Sequence, residues 1–183
     1  MITTLIIFTT ILFVISLYLV TLRKEKIIKT LNKMYNCFDI AEYFVKKAKE
    51  EGQGIDPMKL LKLTYIAHGW YLGVTGNPLF NNKVFAWKYG TVIPELYFAI
   101  RMFGSDSVDP YVFKLYSEKK PTEETKQFLD KIWNKYKDFK GLELSAKTHE
   151  KDTPWSKVWS INPNGLISND TIKEYYESKL KSV

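Results

Sequence analysis

From Pro57 to Leu72 the chain reads as a helix without a polar face. Leu60, Leu61, Leu63, Ile66, Ala67, Trp70, Tyr71 and Leu72 are spread around the full circumference of a 3.6-residue turn. A helix apolar all round has to be covered on every side, so this segment is expected at the centre of a helical domain with the other elements packed around it. Asp56-Pro57 supplies its start, a capping acid followed by proline at the first helical position, where the missing N–H costs nothing. Gly73 and Gly76 loosen its end, and Asn77-Pro78 turns the chain.

Before this helix, Asp39 is expected to cap an amphipathic one, with Glu42 three residues on and Ile40, Phe44 and Ala48 on one stripe. After it, Val84 to Tyr89 is short, β-branched and aromatic, which suits a strand, and Lys88-Tyr89-Gly90 makes a turn. Pro94 starts a helix that Gly104 closes. Ser105 to Pro110 is a polar loop, and Tyr111 to Tyr116 is expected to pair with the earlier strand as a small sheet. Thr122 caps a further amphipathic helix carrying Phe128, Leu129, Ile132, Trp133 and Tyr136 on its apolar side, and Gly141 breaks it. Leu142 to Glu150 gives a short helix, Thr153-Pro154-Trp155 begins another, and Ile172, Tyr175, Tyr176 and Leu180 mark a last one. The fold class is mainly α: a single compact helical domain with a small β-sheet or hairpin. Its most apolar parts hold Trp70 and Trp87, on which stability is expected to depend.

One transmembrane helix is expected ahead of that domain. Ile2 to Leu22 holds no charged residue over 21 positions. At about 1.5 Å per residue this reaches roughly 31 Å, against a hydrocarbon core of about 30 Å. A cleaved signal peptide would carry its positive charges before the apolar run; here Arg23, Lys24, Lys26, Lys29 and Lys33 come after it, against a single acid, Glu25. More than half of the formal net charge of +7 thus sits beside the apolar segment. By the positive-inside rule that cluster holds the following domain on the cytoplasmic face. The division is therefore residues 1–22 as transmembrane helix, 23–33 as basic juxtamembrane linker and 34–183 as the folded domain. Translation from Met34 is the alternative, and it would give a cytoplasmic protein.

The residues that carry chemistry are few. Cys37 is the one cysteine, which excludes an internal disulfide, and with two histidines, His68 and His149, a four-ligand Cys/His zinc site is excluded too. No phosphate-binding loop, dinucleotide fingerprint or nucleophile elbow occurs. His149 stands near Glu150 and Asp152, but neighbours in a helix do not face one another, and this reads as a polar helix end. His68, in the apolar helix, reads as a hydrogen-bonded core histidine. Lys59, Lys62 and Lys88 beside Trp87 and Tyr89 could form a basic-aromatic surface for RNA or an acidic partner, or be lysines snorkelling over an apolar domain. No catalytic, cofactor or metal residues are assigned, and no DNA partner is expected.

The run Phe85 to Pro94, FAWKYGTVIP, read with the Pro57–Phe80 helix and loop, resembles the Panacea or SocA-like antitoxin domain, also described as phage-associated GepA protein. Val92-Ile93-Pro94-Glu95, Thr148-His149-Glu150 through Thr153-Pro154-Trp155 to Val158-Trp159, and Ile167-Ser168-Asn169 extend the likeness from Met34 to Leu180. Thr91 departs from it, since the family often has proline there. The resemblance implies a non-enzymatic antitoxin, common on mobile elements, that neutralises a cognate toxin by direct protein–protein contact. In one branch it implies a protease adaptor, which adds a cellular protease as partner. No toxin-contact residue carries over. The motif positions Trp70, Trp87, Lys88, Tyr89, Gly90, Pro94, Glu95, His149, Pro154 and Trp155 are expected to be structural first.

Overall fold

The structure is a computed structural model that describes residues 13–24 and 34–181. It divides into two units, residues 1–34 and 35–183. In the first, residues 13–24 are helical with exposed apolar side chains such as Phe13, Leu17 and Tyr18. Among the described residues no helix is long and apolar enough to cross a membrane. The expected span over 2–22 lies half outside the described residues, and the described part, residues 13–24, is too short to stand as a transmembrane helix by itself.

The second unit is mainly helical. Helix α1, Cys37–Glu50, opens at Asn36, whose side chain accepts from the Asp39 N–H while Asp39 accepts in return from the Asn36 N–H at 2.9 Å. The cap thus lies three residues earlier than expected. Asp39 is the third helical residue, buried and occupied as an acceptor, and this corrects its assignment as the cap. Its other carboxylate oxygen receives the Ser117 hydroxyl and the Glu118 and Lys119 N–H groups, which ties the 117–119 loop to the helix start.

Helix α2, Pro57–Thr75, is the central element anticipated from its pattern. The Asp56 side chain caps it, Pro57 sits in its first turn, and thirteen of its nineteen residues are buried. A hairpin follows, β1 (Val84–Trp87) and β2 (Gly90–Val92), antiparallel, with Phe85 opposite Val92 and Trp87 opposite Gly90. Helix α3, Pro94–Ile100, runs into a 3-10 turn that Gly104 ends. Helices α4 (Glu123–Tyr136), α5 (Gly141–His149) and α6 (Pro154–Trp159) lead to a short β3 (Leu166–Ile167) and to α7 (Asn169–Leu180). Helices α1, α3, α4, α5 and α7 and strand β2 all pack on α2.

The third strand is not the one expected. Tyr111 to Leu115 falls in a 3-10 helix, Pro110–Leu115, that Asp109 caps and Pro110 opens, and Tyr116 lies just past its end. Its place beside β1 is taken by β3, with Val84 opposite Ile167, giving the order β2-β1-β3. The fully buried tryptophan is Trp133 on α4, at 0% exposure, whereas Trp70 and Trp87 are half-buried against the core.

Candidate functional site

The hairpin turn at Lys88-Tyr89 is held by side chains from three helices, each aimed at a backbone carbonyl. Trp155 on α6 donates its indole N–H to the Trp87 carbonyl at 2.8 Å. Ser145 on α5 donates to the Tyr89 carbonyl at 3.0 Å. Lys62 on α2 donates to the carbonyls of both Tyr89 and Thr91, each at 2.8 Å. His149 at the end of α5 lies with Nδ1 2.7 Å from the Ser145 carbonyl and Nε2 3.4 Å from that of Lys88. The shorter contact assigns the ring proton to Nδ1. Its ring meets the edge of Trp155 at 4.1 Å, and Trp155 stacks on Trp159 at 5.3 Å.

Lys62 is 3% exposed and has no carboxylate beside it. Burial alone pushes its amine down to about 7, because the ammonium has lost water and gained only carbonyl oxygens. Gly90 closes the arrangement. Its φ is +102°, and a Cβ there would lie 2.7 Å from Lys62 Nζ and 2.9 Å from both His149 Cε1 and Thr148 Oγ1. Only a residue without a side chain fits both the backbone angle and the space.

The expected motif residues mostly converge here. Trp87, Lys88, Tyr89, Gly90, His149 and Trp155 meet at the turn, and Pro154 opens the helix that carries Trp155. Pro94 and Glu95 start α3 directly after β2, Glu95 placing its charge at the helix N-terminus. Trp70 stands apart, donating its indole N–H to the Tyr136 hydroxyl at 2.9 Å. Sequence reasoning does not single out Lys62 and Ser145 as holders of the turn. Lys62 is legible as a lysine in a helix that offers no solvated face; Ser145 leaves no comparable mark.

The basic-aromatic surface drawn from Lys59, Lys62 and Lys88 does not form. Lys59 is 8% exposed and donates to the Lys137 carbonyl, and Lys62 is spent on the turn. Lys88 alone faces outward, its ammonium 5.5 Å from the ring of Tyr89, which is 68% exposed. His68 is the core histidine expected: Nε2 faces Asn169 Oδ1 at 3.0 Å, the ring stacks on Phe80 at 4.1 Å, and burial lowers its pKa to about 4. Among the described residues no group of three or more His, Cys, Asp or Glu could hold a metal ion.

The domain is built round one buried helix, with a hairpin turn held by side chains from three helices. Residues 60–156 match the family described as Antitoxin SocA-like, Panacea domain, and the chain belongs to that family. The matched stretch contains every part of the lock, from Lys62 to Trp155. No curated protein and no solved structure matches the chain.

Proposed function

We propose that this protein is the antitoxin of a toxin–antitoxin pair and neutralises its cognate toxin by direct protein–protein binding, without catalysis. Membership of the SocA-like Panacea family carries the reading. The chemistry of the turn supports it: Lys62 and His149, the groups with the best claim to reactivity, are committed to carbonyl oxygens. Neutralisation proceeds by covering the toxin or by delivering it to a cellular protease, the mode implied by the branch named for SocA. The test is co-expression with the reading frame adjoining this gene. The antitoxin should restore growth to cells carrying that neighbour, in protease-deficient cells as well if covering is the mode. No rescue in any background would refute the reading.

Residues 2–22 are proposed to anchor the domain in the cytoplasmic membrane with the domain facing the cytoplasm. The charge-free apolar run, the exposed apolar side chains on residues 13–22 and the basic cluster after them support this placement. Tethering raises the local concentration against a toxin that acts at the membrane. Recovery of the full-length protein from a carbonate-washed membrane pellet is the expected result. A product beginning at Met34 in the soluble fraction would end the anchor and leave the antitoxin reading intact.

A further inference from the structure

A cleft of about 440 Å³ opens between α2, α4, α5 and α7. Its volume lies in the range of ligand sites, roughly 300–1,000 Å³. Its walls are aromatic, with Trp70 and Tyr136 on one side and Tyr176 on another. Tyr65 lines it from the central helix at 2% exposure, and no hydrogen bond joins its hydroxyl to another described residue. Its hydroxyl can donate to an occupant of the cleft.

The rim is cationic. Lys135 lies with Nζ 4.9 Å from the Trp70 ring centroid, and Lys147 lies 4.9 Å from that of Phe139. Ring faces hold both ammonium groups at the mouth. Neither forms an ion pair among the described residues. Lys179 lies over Tyr175 at 5.2 Å, and Glu150 is the one acid on the rim. An aromatic well under a rim of three lysines and one glutamate complements an apolar side chain flanked by carboxylates. The α7 wall lies outside the matched residues 60–156.

We infer that this cleft takes an acidic segment of the toxin, seating a large apolar side chain against Trp70 and Tyr136 with flanking carboxylates on Lys135 and Lys147. The inference rests on the antitoxin reading for the identity of the partner, whereas the chemistry of the cleft can be tested apart from it. The direct probe is the acetylated, amidated pentapeptide Glu-Glu-Phe-Glu-Glu, titrated into the full chain while the Trp70 indole signal is followed by NMR. A saturable shift is expected. Lys135→Glu with Lys147→Glu should weaken binding at least tenfold, both side chains being exposed and removable without loss of the fold. Tyr65→Phe should weaken it roughly twofold to tenfold, the worth of one hydrogen bond, without lowering the melting temperature.

In cells, the double charge reversal should lose rescue against the adjoining toxin at unchanged abundance. Rescue by the double variant equal to wild type would overturn the inference while leaving the antitoxin reading in place. Failure of the wild type to rescue would overturn that reading, and the peptide titration would still decide the cleft. A pentapeptide shift unaffected by the charge reversals, or tighter binding of an oligouridylate at the same residues, would overturn the cleft assignment itself.

Discussion

Replacing Gly90 by alanine tests the lock at its tightest point. The backbone stands at φ +102°, outside the range L-residues adopt comfortably, and even the left-handed helical angle costs such a residue roughly 1–2 kcal/mol. The added methyl would also press on Lys62 Nζ, His149 Cε1 and Thr148 Oγ1, at 2.7, 2.9 and 2.9 Å. These atoms are pinned by their own hydrogen bonds, and overpacking of such a site typically costs about 1–3 kcal/mol. Gly90→Ala should therefore destabilise by roughly 2–5 kcal/mol, which lowers the melting temperature of a chain this size by about 4–20 °C. Gly104→Ala is the control. Gly104 has φ +58° with nothing within 4 Å of a Cβ, so only the backbone term applies there. Equilibrium unfolding in guanidinium of both variants separates the clash from the backbone angle. An equal loss in the two would refute the claim that side chains from α2 and α5 close on the turn.

Three further outcomes are expected. Lys62 titrates near 7 in the fold and near 10.5 when unfolded, so between those values the unfolded chain binds the extra proton and stability rises with pH, by at most about 1.4 kcal/mol per unit; urea unfolding from pH 7 to 9 should show this rise, and Lys62→Met should flatten it. Trp133→Ala should cost about 3–5 kcal/mol and exceed Trp87→Ala in the same assay, since Trp133 is fully enclosed and donates its indole N–H to Glu51 at 2.9 Å; a larger loss at Trp87 would contradict the burial. His149→Ala should cost about 1 kcal/mol through its contact with Ser145 and preserve growth rescue; loss of rescue in a variant of normal stability and abundance would point to chemistry at this histidine.

Local periodicity and capping are the parts of this fold that a sequence makes legible. The enclosed α2 announces itself because no face of it is polar, and Asp56 and Thr122 cap their helices as expected. The start of α1 is harder to place because Asn36 and Asp39 are both good caps, and the choice between them is settled by the loop at 117–119 that claims Asp39 from about eighty residues away. Strand β3 has two residues, too few to show alternation, while the aromatic and β-branched run at 111–116 has the composition of a strand but falls, up to Leu115, in a 3-10 helix that Asp109 caps and Pro110 opens. At the turn, the motif residues can be picked out by resemblance, but their common task cannot. It consists of side chains reaching carbonyls, and carbonyls leave no trace in a sequence. The aromatic cleft is invisible for a similar reason, since its walls are drawn from α2, α4, α5 and α7.

Direct binding to the toxin is the central claim, and calorimetric titration of this protein into the purified product of the adjoining reading frame tests it most directly, with the activity of that product assayed in the same mixture. A saturable complex is expected, with toxin activity falling in step with occupancy and no protease or other factor present. A toxin that stays fully active in excess of this protein, with no heat of binding, would contradict it.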